Sequence, residues 1–148
     1  MSSSLKGAIL AGAASGLRTT AGVATLINHK ASGLPAWLAG RPAAVIAPLA
    51  LSGELVTDKL PSTPSRLEPA PLAARGTCAA LAGAAIARGA DQPLLPAAAV
   101  ASAAALASAK VGHTFRVALA NRMLPCAVAA AEDGVALALA GAAANTVR

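Results

Sequence analysis

Apolar residues run along this chain in long stretches separated by short polar gaps. Five stretches stand out, at residues 5 to 28, 36 to 58, 70 to 88, 94 to 115 and 125 to 145. Several approach the ~20 residues a helix needs to cross a bilayer. Strand-like alternation is absent, and in lipid only helices and closed barrels satisfy the backbone, so all five read as helices. Pro35, Pro71, Pro93, Pro96 and Pro125 lie near segment starts, where a missing N–H costs little. Gly33, Gly89 and the pair Asn121/Arg122 punctuate the gaps. Pro48 falls inside the second segment and is expected to kink it. The expectation is an all-α, polytopic membrane bundle of four or five transmembrane helices, forming one domain over residues 1–148.

Composition sharpens this picture. The chain is 56% hydrophobic and only 12% charged, against about 25% charged residues in an average soluble domain. So little charge cannot coat a globular surface. A soluble Ala-rich bundle is the competing reading, because alanine is nearly neutral toward the bilayer. The net charge of +6 invites a nucleic-acid reading, but the basic residues are scattered singly among one Phe, one Trp and no Tyr. Neither a basic stripe nor a stacking platform exists, so nucleic acid is excluded as a partner. Scattered Lys and Arg at the ends of apolar runs fit membrane flanks. Counting them favours an N-terminus inside and a C-terminus outside. The opening MSSSLKGAILAGAASG has the form of a signal peptide, but the apolar pattern resumes after Arg18 and runs to Asn28, so an uncleaved first membrane helix is expected. Cys78 and Cys126 read as small buried apolar side chains. No metal or cofactor motif is present.

The few charges are the candidate chemistry. Arg18 interrupts segment one as GLRTT, and an arginine at the bilayer centre costs about 2.5 kcal/mol or more. It needs a carboxylate, a cavity or a broken helix; Glu54 is the expected partner. Glu54 and Asp58 lie one helical turn apart and share a face. Two such carboxylates bind a cation or share a proton, and Gly53 beside them leaves room for another helix. Lys59 follows, and with Arg66 and Arg75 it is a candidate for lipid-headgroup contact. Segment four ends with Lys110, His113 and Arg116. Segment five carries Glu132 and Asp133 side by side in a deeply apolar run. Adjacent positions diverge by about 100° on a helix, so one should pair within the bundle while the other faces a cavity. Glu54, Asp58, Glu132, Asp133, Arg18 and Arg116 are thus the candidates for handling an ion or proton. Each half offers an arginine-bearing helix followed by an acid-bearing one, the plan of a degenerate inverted repeat. Gly12 and Gly16 form GxxxG, and small-residue faces of this kind also serve homo-oligomers.

These residues carry a family resemblance. GLRTT, GELVTDKLPSTPSR, the turn into PLAAR and AEDGVALALAG, in that order along the chain, resemble the bacterial integral-membrane family known as domain of unknown function 4126. The resemblance implies a small multi-helix protein of the cytoplasmic membrane with no assigned activity. It implies recurrent polar positions at Arg18, Glu54, Asp58, Lys59, Pro61, Arg66, Arg75, Glu132 and Asp133. Family members tend to be Gly-rich where this chain reads ASAKVGHTFR, so Lys110 and His113 fall outside what it implies.

Three function classes follow. A transporter or channel would use the Arg/carboxylate cluster to handle a proton, ion or small polar solute. A structural or assembly protein would use the same charges only to lock helices together. A membrane enzyme would bind a phosphate headgroup in the Lys59-to-Arg66 loop, with Ser62, Thr63 and Ser65 as its nucleophile candidates; the sequence leans away from it, because no histidine lies near them.

Overall fold

The computed structural model describes residues 2–57, 68–119 and 122–147. Among these residues seven helices follow in order: α1 (Ser3–Leu17), α2 (Ala21–Asn28), α3 (Ala36–Ala39), α4 (Arg41–Thr57), α5 (Pro69–Gly89), α6 (Leu94–Leu119) and α7 (Pro125–Ala144). A 3-10 turn over Asn145–Val147 closes the described chain. Proline sits at the first turn of α5 and α7, as the pattern predicts. α4 continues through Pro48 as one helix. Segments three to five each become one helix, whereas segment one becomes two.

α5, α6 and α7 are long and apolar enough to cross a membrane, with mean hydropathy of 1.3, 1.6 and 1.5 over their most apolar stretches. No more than 39% of any of these stretches is buried inside the protein. The rest presents side chains such as Leu95, Val111, Phe115 and Val135 outward. An all-helical fold with an apolar exterior is that of a membrane protein.

The close contacts fix the direction of each helix. α1 is central and packs on α5, α6 and α7. A methyl group at Gly7 would meet Ile86, while Gly16 lies against Arg75, so α1 and α5 are antiparallel. Gly12 rests on the backbone of Ala101 and Gly16 on Ala105, so α1 and α6 are parallel. Gly7 meets Thr146 and Arg18 meets Asp133, so α7 is antiparallel to α1. α2 turns back along α1. A methyl group at Gly22 would lie 2.7 Å from the Ala11 carbonyl oxygen, and Leu26 shares a core cluster with Ala11. After α2, Gly33 lands on Ala85 near the end of α5.

Segment one is therefore a re-entrant helical hairpin and not a single crossing. It enters the bundle, stops at Arg18 and returns to the end it came from. This corrects the expected topology. A first segment that crossed once would run antiparallel to α6 and leave the two chain ends on opposite sides. Here Gly7 and Thr146 touch, so both described ends of the chain lie at one end of the bundle, termed the near end. The fifteen residues of α1 span about 22 Å, roughly two thirds of a bilayer core of ~30 Å. The reversal lies deep within the protein, where non-helical backbone is tolerated only if its polar groups find partners.

Small residues make the hairpin possible. Ala8, Ala11, Ala14, Ala21 and Ala24 are almost fully buried, and the Gly12/Gly16 face is spent on α6. That GxxxG surface is thus used within the chain and is not presented to a second copy. α4 is peripheral: it packs on α2 and α3, with its start beside Ile27 and Lys30 and Glu54 near the tip of the hairpin. At the near end, the turns after α2 and α5 are closed by Lys30 and Asp91 in the left-handed conformation, each with φ 51°. Ala31 N–H reaches back to the Leu26 carbonyl and Gln92 N–H to that of Ala87, the pattern of a helix-ending Schellman turn. The expected punctuation by Gly33 and Gly89 has another use: Gly33 permits a close approach to α5.

Candidate functional site: the buried tip of a re-entrant hairpin

The residues Arg18, Thr19 and Thr20 form the tip between α1 and α2. A helix that ends leaves carbonyls unpaired, and a helix that starts leaves N–H groups unpaired. Both sets meet here, with the negative end of the α1 dipole beside the positive end of the α2 dipole. The surrounding helices supply matching charges. Arg75 of α5, only 3% exposed, donates from its guanidinium to the Gly16 carbonyl oxygen. Glu54 of α4 accepts from the Thr20 N–H at 2.9 Å and the Thr20 hydroxyl at 2.8 Å, and its other oxygen accepts from the Thr19 N–H. Its carboxylate is thereby an N-cap for α2 supplied from another helix. Within the tip, Arg18 N–H closes onto the Ala14 carbonyl and Ala21 N–H onto that of Arg18.

Arg18 itself is fully buried. Its Nε donates to Asp133 Oδ1 of α7 at 2.6 Å, and a second guanidinium nitrogen contacts the same oxygen. One residue earlier, Glu132 turns toward α6 and accepts from Arg116 Nε at 2.7 Å. Gly112 makes room for it: a methyl group there would lie 3.1 Å from Glu132 Oε1. The roughly 100° between adjacent helical positions sends the two acids to two partners.

Several sequence expectations change on this geometry. Arg18 contacts Asp133, a partner not foreseen, and Glu54 also accepts from the peptide N–H groups that follow Arg18. Both Glu132 and Asp133 are paired in the bundle, and Glu132 also lines a cavity between α6 and α7. Arg75, expected at lipid headgroups, is buried and holds the end of α1. No described atom lies within 4 Å of where a Gly53 side chain would sit, so no described helix uses the room it leaves. Cys126, expected to be buried, is exposed, and Cys78 is half-buried. Lys110 is exposed, and no described hydrogen bond or ion pair brings it or His113 into the cluster. Asp58, Lys59, Pro61, Ser62, Thr63, Ser65 and Arg66 lie outside the described residues, so the Glu54–Asp58 cation site and the headgroup loop do too. Among the described residues no group of three His, Cys, Asp or Glu side chains could hold a metal ion.

Sequence reasoning missed the reversal at Arg18 and the part played by Arg75. The available signal was three consecutive polar residues in mid-segment, flanked by Gly16 and Gly22. Gly22 lets α2 close back against α1 at Ala11 and Ser15.

Comparison with protein-family models, with curated proteins and with solved structures returns no match for this chain.

Proposed function

We propose that this chain is a small protein of the bacterial cytoplasmic membrane, akin to domain of unknown function 4126, that passes a proton, small ion or small polar solute at the tip of its re-entrant hairpin. One observation carries this reading: two half-helices end inside an apolar bundle, and a fully buried arginine with a carboxylate partner sits where they end. Membrane transporters and pores use interrupted helices in this way, because helix ends and irregular backbone offer polar groups at membrane depth. Four spans, α4 to α7, then surround the hairpin. The inverted repeat gains no support, since α6 is continuous where segment one is broken. Lys6, Lys30, Arg41 and Arg88 flank the near end, against Arg116 and Arg122 at the other. This favours a cytoplasmic near end, with both termini inside.

Passage would require the Arg18–Asp133 pair to open, an anion competing for the guanidinium or a cation or proton for the carboxylate. The test is flux in reconstituted vesicles, read with pH- and ion-sensitive dyes. Arg18→Lys keeps the charge but loses the planar fork. It should lower flux by about tenfold or more, as small misplacements in a preorganised site do, with helix content retained. Wild-type vesicles that pass no protons, common ions or small anions would transfer the assignment to the structural reading. That reading has its own support, because Glu54 and Arg75 serve backbone groups of the hairpin and so lock it in place.

A further inference from the structure

The near end of the bundle holds a polar pocket that is separate from the hairpin tip. Where α2 ends and α3 gives way to α4, the chain folds around a space of about 300 Å³, at the lower end of the ~300–1,000 Å³ typical of small-ligand sites. Ile27, Leu34 and Ala44 supply apolar wall, and Lys30 and Arg41 bring two cations to it. The left-handed turn at Lys30, tied by the Ala31 N–H to the Leu26 carbonyl, fixes where the lysine leaves the backbone. Arg41 is the first residue of α4. Both side chains are exposed, and no hydrogen bond or ion pair among the described residues engages either one. No acid among the described residues lines the pocket. The one described acid at this end, Asp91, stands outside it. At the tip and on α6, by contrast, Arg18 and Arg116 each meet a carboxylate.

Two like charges on one small concavity repel each other and concentrate anions there. The guanidinium fork of Arg41 and the three donors of Lys30 suit a group with several acceptor oxygens, as a phosphate has. The position of the pocket points the same way. α3, between Lys30 and Arg41, carries Trp37, the one tryptophan of the chain, with 68% exposure. An exposed tryptophan on a membrane protein belongs at the headgroup level, where its ring is half in hydrocarbon and its N–H is wet. A pocket beside it therefore opens where lipid phosphates lie. We infer that this near-end pocket binds a phosphate group, carried by an anionic phospholipid or supplied as free phosphate. The inference rests on the membrane location alone and is independent of any flux at the tip.

With one Trp and no Tyr, the intrinsic fluorescence of the chain reports on the neighbourhood of Trp37. The test reconstitutes the full chain in phosphatidylcholine vesicles containing equal fractions of phosphatidylglycerol or phosphatidylcholine brominated on the acyl chains, and reads quenching of Trp37. Wild type should prefer phosphatidylglycerol by about tenfold or more, since each surface cation favours an anionic lipid by about 1 kcal/mol. Lys30→Gln with Arg41→Gln should bring the two lipids to equal quenching. Lys6→Gln with Arg88→Gln removes as much charge from the same end without touching the pocket, and should keep the preference. If free phosphate is the source, the two lipids should quench wild type equally. Calorimetric titration of the detergent-purified chain with inorganic phosphate should then show binding that Lys30→Gln with Arg41→Gln abolishes. A lipid preference that falls equally in both double variants, all folded by circular dichroism, would reduce the effect to diffuse surface charge and overturn the inference. So would a wild type that neither prefers phosphatidylglycerol nor binds phosphate.

Discussion

The Arg18–Asp133 pair should dominate the stability of the hairpin, and a double-mutant cycle can measure it. Asp133→Asn is nearly isosteric and leaves the Arg18 guanidinium, which has no solvent exposure, facing a neutral amide. Breaking a buried pair from one side costs about 3–5 kcal/mol, because the remaining charge is stranded. Arg18→Met should cost less, about 2–3 kcal/mol, since the Asp133 side chain keeps 14% exposure and stays partly solvated. If the pair is the main partner for both groups, the double mutant strands no charge and should cost well under the sum. A direct interaction at hydrogen-bond distance with an effective dielectric near 20 is worth about 4 kcal/mol before desolvation. A coupling energy of about 2–3 kcal/mol is then expected, at the upper end for contacting residues. Unfolding in mixed micelles, followed by helical circular dichroism across an SDS titration, gives all four stabilities. Additivity within about 0.5 kcal/mol would refute the argument, since it would mean that each group is satisfied elsewhere.

Two further outcomes test the architecture. Glu54→Ala removes the carboxylate that caps α2 from α4 and should cost about 1–2 kcal/mol; amide hydrogen exchange should rise at Thr19 and Thr20 and stay unchanged in the middle of α6. In a background without Cys78 and Cys126, single cysteines at Ser3 and Asn145 should react with an impermeant thiol reagent from the same side of sealed vesicles, and reaction from opposite faces would exclude the re-entrant hairpin.

The helical segments were legible because apolar runs and proline positions report local structure directly. Segments three to five appear close to their expected bounds. The cluster of Arg18, Glu54, Asp133 and Arg116 was also legible as a group, since charges are scarce and each is costly in lipid. The parts played by Asp133 and by the tip's own backbone were not legible. Once the chain reverses at the tip, the Thr19 and Thr20 N–H groups need an acceptor as much as the guanidinium does, and Glu54 serves them. Arg75 looked like a flanking residue because it lies seven positions into α5, near the segment's start. Only the reversal of α1 brings the Gly16 carbonyl to it. One turn in the chain thus decides the partners of four side chains, and hydropathy does not encode that turn.

The 115 residues between Arg18 and Asp133 have a consequence for biogenesis. At about 5–20 residues per second, the ribosome reaches Asp133 roughly 6–23 s after Arg18. Throughout that interval the nascent hairpin lacks the Asp133 carboxylate that Arg18 contacts in the folded protein. Glu54 and Arg75 emerge earlier and can cap the exposed peptide groups, but they offer only one negative charge between them. The hairpin, translated first, is therefore seated last. Packing at its tip is complete only when α7 arrives with Asp133.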